Sequence, residues 1–146
     1  MNSQTTHATK KGQVEHNWYV IDAADQVLGK VATTAAKLLM GKNKAYWTSN
    51  LDCGDNVIII NTRGIELTGN KEKKKIYQKH TGYLGGLKTM TYEQMKAKNP
   101  TKAIEIAIKG MLPKNKMGSE MFRKLFVYAD AEHKHSAQQP VAVNIS

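Results

Sequence analysis

Four consecutive β-branched residues, Val57-Ile58-Ile59-Ile60, constrain the fold of this chain more than any other feature. A strand points alternate side chains to opposite faces, so an unbroken apolar run needs cover on both. That requirement points to the interior of a parallel sheet. The upstream residues supply a partner: Trp18-Tyr19-Val20-Ile21 is rich in aromatic and β-branched side chains and reads as a buried strand. Between the two runs, Val27, Leu28, Val31, Ala32, Ala35, Leu38 and Leu39 recur at helical spacing. Asp25 is the expected N-cap of that helix and Gly41 its C-terminal stop. Lys30 and Lys37, seven apart, fall on one face of it. Strand, helix, strand at this spacing predicts a right-handed crossover and a parallel sheet.

Downstream the pattern is looser. Arg63-Gly64 interrupts, and residues 65–67 either extend or re-form the strand. Thr81-Gly82-Tyr83-Leu84-Gly85-Gly86-Leu87-Lys88 reads as a glycine-rich loop. Residues 91–98 suit a short helix. Asn99-Pro100 is the expected cap and first turn of another, with Ala103, Ile104, Ala107, Ile108 and Met111 as its apolar stripe. Glu105 and Lys109 are spaced as an i, i+4 pair, and Leu112-Pro113 ends the helix. Residues 119–124 read as another turn or two, and Leu125-Phe126-Val127-Tyr128 as the last strand. The expected layout is a mobile polar arm (1–16), one α/β domain (17–130) and an extended tail (131–146).

Charge then separates the function classes. The 146 residues carry 22 Lys plus Arg against 12 Asp plus Glu, a formal net charge of +10. Residues 71–124 alone hold 14 basic side chains and only four acids, Glu72, Glu93, Glu105 and Glu120. The rest of the chain is balanced, eight against eight, so the whole excess lies in one segment. Such sorting suits a footprint for phosphates better than an evenly solvated surface. Only Arg63 and Arg123 are arginines. Lysine is a compact point charge, which favours backbone neutralisation over base-edge reading. An anionic membrane is a poorer partner, because the basic residues share no helix with a broad apolar face. No apolar run approaches the roughly 18 residues of a membrane span, and MNSQTTHATKKGQ has no apolar core of a secretory signal. A single cysteine, Cys53, excludes an internal disulfide framework. The expectation is a soluble intracellular protein with a polyanionic partner.

Several constellations invite chemistry and are better read otherwise. His133 and His135 beside Glu132 have the spacing of a chelate, but no third ligand accompanies them; they read as a polar tail. The glycine loop lacks the G-x-x-x-x-G-K-[ST] pattern and precedes no helix start. A loop that lets backbone approach RNA fits it better, with Lys79, His80 and Lys88 around it and Tyr83 able to stack on a base. Asp22, Asp25, Asp52 and Asp55 sit where aspartate caps helices and steadies turns. Cys53 has no histidine nearby in sequence to activate it. Met90, Met95, Met111, Met117 and Met121 read as core filler.

Taken in order, the chain resembles the bacterial-type large-subunit ribosomal protein thirteen family. The residues that carry the resemblance are Trp18-Tyr19-Val20-Ile21-Asp22-Ala23, Leu28-Gly29-Lys30, Asp52-Cys53-Gly54-Asp55, and Leu67-Thr68-Gly69-Asn70-Lys71. They continue through His80-Thr81-Gly82-Tyr83, Gly85-Gly86, Lys109-Gly110-Met111-Leu112-Pro113-Lys114-Asn115, Glu132-His133 and Ala137-Gln138-Gln139-Pro140. The resemblance implies a three-layer α/β/α domain with a four-stranded, mainly parallel sheet. It implies a non-enzymatic constituent of the cytoplasmic large ribosomal subunit that takes no cofactor or small-molecule substrate. Its partners would be ribosomal RNA, bound early in assembly, and neighbouring ribosomal proteins. Carried over by position, RNA contacts would come from Lys71, Lys73, Lys74, Lys75, Lys79, His80, Tyr83 and Lys88. A second set would be Lys109, Lys114, Asn115, Lys116, Arg123 and Lys124. Leu84 stands where the family commonly has proline, Lys30 where it has arginine, and Ser119 where it often has arginine. A secondary role on messenger RNA stays open, as does a different class, a small enzyme using the glycine loop and the aspartates on a phosphorylated substrate.

Overall fold

Residues 9–145 are described by a computed structural model. The first eight residues of the expected N-terminal arm, and Ser146, lie outside the described residues. In chain order the strands and helices are β1 (Trp18–Asp22), α1 (Leu28–Met40), β2 (Asn56–Ile60), α2 (Lys71–Lys74), β3 (Ile76–His80), β4 (Leu87–Thr91), α3 (Tyr92–Lys98), α4 (Lys102–Met111), α5 (Lys116–Arg123), β5 (Leu125–Val127) and β6 (Val141–Ala142).

The α/β class and the four-stranded parallel sheet are those expected. The strand order is β5-β2-β1-β6 and every pairing in it is parallel. β2 sits inside, and Val57, Ile58 and Ile59 are fully buried. Tyr19, Ile21, Val57, Ile59, Leu125 and Val127 turn to one face. They meet Leu28, Val31, Ala35 and Leu39 of α1, Ile104 and Ile108 of α4, and Met121 of α5 in one core. Each large aliphatic side chain fully removed from water there contributes about 1.5–3 kcal/mol before entropy is counted. On the opposite face Trp18 stacks on Phe126 with ring centroids 5.5 Å apart, and His135 packs 4.4 Å from Phe126. The C-terminal segment, with its short 3-10 turn Ser136–Gln138, therefore supplies cover there. It then delivers β6 to the edge of β1. His135 belongs to this aromatic cluster instead of reaching outward as a polar tail.

Several boundaries differ from the sequence reading. Asp25 does not cap α1: it adopts φ +55 in the preceding turn, and Val27 is the N-cap. An isolated β-bridge does the anchoring instead, since Val27 pairs with Glu66 and Leu28 N–H donates to the Glu66 carbonyl at 3.0 Å. Gly41 ends the helix in the left-handed region as expected. Asn99 closes α3 and does not cap α4, whose N-cap is Thr101. Glu105 pairs with Lys102 at 3.0 Å rather than with Lys109. Lys109 lies over the Phe122 ring at 5.8 Å. α5 begins earlier than expected because Asn115 accepts from Gly118 N–H and opens it at Lys116. The segment read as a loop is the tip of an antiparallel hairpin, β3 with β4. That hairpin packs on α2 and α3.

Candidate nucleic-acid interface

The basic residues collect on two structures. The first is the hairpin with the helix before it. Lys71, Lys73 and Lys74 project from α2, and Lys75 follows with its ammonium 5.3 Å from the Tyr77 ring. All four are exposed. Lys79 and Lys88 are direct cross-strand partners, so their charges share one face. Like charges directly opposite each other destabilise a bare sheet, and a bound anion removes that cost. Residues 76–91 contain no acid. At the tip Gly82 and Gly85 take positive φ, and Gly82 N–H donates to His80 Nδ1 at 3.0 Å. Tyr83 is left 80% exposed and Leu84 fully so. The base of the hairpin is firmer, with Tyr92 buried and Tyr77 half-buried. Burial pushes both phenols above their ordinary pKa, with the charges of Tyr77 and Glu72 adding to the rise at Tyr92.

The second structure is a groove of about 630 Å³ where α4 turns into α5. Lys109, Lys114, Asn115, Lys116 and Arg123 all line it, beside Phe122. Five residues from three places in the sequence thus face one hollow. No carboxylate lines it. A comparable hollow of about 620 Å³ at the base of the hairpin mixes Glu72 and Glu93 with Arg63, Lys73 and Lys96. The groove by α5 is thus the more uniformly basic of the two.

Two expected contacts have other duties. Lys124 Nζ donates to Asp52 Oδ1 at 2.6 Å and to the Gly54 carbonyl at 2.8 Å, which ties it into the scaffold. The Oδ1 of Asn115 is occupied as the cap of α5. Ser119, the departure from the family pattern, lines the groove itself.

Asp22 and Asp52 show the turn chemistry expected of the aspartates, whereas Asp55 is held in a buried ion pair. Asp22 Oδ1 accepts from Ala24 N–H and from Asn61 Nδ2, both at 2.9 Å. Asp52 accepts from Gly54 N–H at 3.1 Å. Asp55 is fully buried and pairs with Lys44 at 2.6 Å. Among the described residues no three of His, Cys, Asp and Glu come together to hold a metal. No helix among them is long and apolar enough to cross a membrane.

Sequence reasoning missed the loop after α1. Trp47 there is 40% exposed, and Lys42 lies 6.0 Å from its ring. The signal was present, since Lys42-Asn43-Lys44-Ala45-Tyr46-Trp47 interleaves aromatics with lysines.

Comparison with known proteins agrees with the resemblance carried by the sequence motifs. A family model described as ribosomal protein L13 matches residues 16–134. The large ribosomal subunit protein uL13 of Legionella pneumophila (strain Corby) is 49% identical over 140 residues, covering 96% of this chain and 97% of its own. That of Salinispora arenicola is 51% identical over 140 residues, covering 96% and 95%. That of Latilactobacillus sakei is 50% identical over 143 residues, covering 98% and 97%.

Proposed function

The chain belongs to the ribosomal protein L13 family, a structural, non-enzymatic family of the large ribosomal subunit, and from that premise we propose that it binds large-subunit ribosomal RNA through the hairpin and the α5 groove. The observation that carries the reading is the groove. Lys109, Lys114, Lys116 and Arg123 converge there with no acid among them. Fixed cations on a folded scaffold neutralise phosphates that RNA folding has brought together. The compact RNA state then gains over the open one because the protein binds it better. This is a thermodynamic role in early assembly and needs no catalytic step. The hairpin adds Lys79, His80, Tyr83 and Lys88 to the surface, and α2 with its C-cap adds Lys71, Lys73, Lys74 and Lys75. Lys124 leaves the set because Asp52 holds it. The protein works in the cytoplasm beside neighbouring ribosomal proteins. Binding to a messenger RNA would use the same cations and is a second outcome of the same chemistry.

A salt titration of binding to large-subunit ribosomal RNA tests the proposal. Each phosphate contact contributes roughly −0.7 to −0.9 to the slope of log affinity against log salt. The expected slope is steep, and it becomes shallower when Lys114 and Lys116 are both changed to glutamine. An affinity that does not respond to salt overturns the reading.

A further inference from the structure

The groove does not end at α5. Pro113 and Asn115 form part of its wall and also line an adjoining cavity of about 180 Å³, whose other sides include Trp47, Thr48, Met117 and Met121. The character of the space changes across that shared wall. The groove is basic, whereas no charged side chain lines the cavity. Its volume is below the roughly 300–1,000 Å³ of sites for drug-sized ligands. One planar ring system fits it and a stacked base pair does not. Thr48 Oγ1 is buried with no hydrogen-bond partner in the fold. Trp18, by contrast with Trp47, is spent on the aromatic cluster behind the sheet. The loop that carries Trp47 and Thr48 is anchored. Trp47 N–H donates to the Lys44 carbonyl at 3.2 Å, and Lys44 in turn is locked onto buried Asp55.

We infer that this cavity is a nucleobase site. A single unstacked base of the RNA in the groove turns into it and stacks on Trp47, with methionine thioethers against its edge and the Thr48 hydroxyl offered to it. Lys114 and Lys116 hold the flanking phosphates. The inference rests on the RNA reading of the groove and narrows it to a strand with at least one unpaired nucleotide there. Aromatic platforms take bases from single strands, loops and bulges, because a base inside a duplex is already stacked.

The test uses the full chain and three ligands with equal numbers of phosphates: a single-stranded oligoribonucleotide, the same oligomer with abasic sites, and an RNA duplex. Tryptophan fluorescence and affinity are read for the wild type, Trp47→Phe, Trp47→Ala and Thr48→Val. The base-bearing single strand is expected to quench fluorescence in the wild type, and the quenching is lost in Trp47→Phe and Trp47→Ala. Its affinity falls about five- to a hundredfold in Trp47→Ala and recovers in Trp47→Phe. Thr48→Val weakens it a few-fold. Abasic and duplex ligands bind all four proteins alike. If the abasic oligomer binds the wild type as tightly as the base-bearing one, or Trp47→Ala binds both as the wild type does, the nucleobase site is overturned while the groove reading stands. If none of the three ligands binds at low salt, the groove reading fails and the site with it.

Discussion

Lys124 Nζ lies 2.6 Å from Asp52 Oδ1, joining the end of α5 to the turn before β2 across 72 residues of chain. Both side chains are largely buried. The same ammonium also donates to the Gly54 carbonyl. A hydrogen bond to a charged group contributes about 1.5–3 kcal/mol, so Lys124→Met is expected to cost about 2 kcal/mol. For a chain of this length that lowers Tm by about 6 °C. The slope of RNA affinity against salt is expected to stay as it is. Thermal unfolding and a salt titration on the same preparation check both halves. A flattened slope with unchanged Tm would return Lys124 to the RNA surface.

The Lys44–Asp55 pair matters more to the fold. Asp55 is fully buried and Lys44 nearly so, with 2.6 Å between them. Removing one partner of such a pair typically costs about 3–5 kcal/mol, because the other charge is left uncompensated. Lys44→Met is therefore expected to be the more destabilising of these two substitutions, as read by urea unfolding at neutral pH. Burial pulls the Lys44 ammonium toward a lower pKa, but the hydrogen bond and charge of Asp55, with help from Tyr46, outweigh it. The net pKa stands above the ordinary 10.5. A cation raised in this way stabilises the fold fully below its unfolded value and loses that contribution as pH rises through the folded value. The gap between wild type and Lys44→Met is therefore expected to be constant through neutral pH and to narrow on the alkaline side of 10.5. A gap that does not narrow on that alkaline side would contradict this assignment.

The core of the sheet was legible because burial leaves a pattern. Val57, Ile58 and Ile59 announce cover on both faces, and the spacing from Leu28 to Leu39 announces a helix lying on one. The hairpin left no such trace. Ile76 and Leu87 are each more than half exposed, and lysines occupy neighbouring strand positions, so nothing in the alternation distinguishes it from a loop. β6 is two residues long and gains its identity only from β1 beside it. For the interface, charge counting located the basic segment and the family resemblance supplied the RNA. Neither could separate Lys124 from Lys114 or Lys116, because a long-range partner such as Asp52 is invisible to composition. The Asp52-Cys53-Gly54-Asp55 motif is in the same position: its role as a clamp for Lys124 and Lys44 appears only in three dimensions.

The lysine run of α2 and its C-cap gives a third expectation. Lys73, Lys74 and Lys75 are exposed and make no ion pair among the described residues. Surface substitutions of this kind usually move stability by no more than about 0.5 kcal/mol. Changing all three to glutamine is expected to leave Tm nearly unchanged and to flatten the salt slope by roughly 0.7–0.9 for each phosphate no longer neutralised. A Tm drop of several degrees with an unaltered slope would make these lysines structural instead.

Ser119 offers a gain rather than a loss. It is exposed, it lines the groove with Lys114, Lys116 and Arg123, and its hydroxyl reaches only the Asn115 carbonyl, at 3.4 Å. A longer cation there would meet the same phosphates as its neighbours. Ser119→Arg is expected to tighten RNA binding several-fold at low salt and to steepen the slope by roughly 0.7–0.9, the increment of one further neutralised phosphate. The cost falls on the fold, since a positive charge near the N-terminus of α5 opposes the helix dipole by about 0.3–1 kcal/mol. Affinity and stability should thus move in opposite directions, which urea unfolding and a salt titration of the same variant can measure. Unchanged affinity with lowered stability would mean that RNA does not reach this part of the groove.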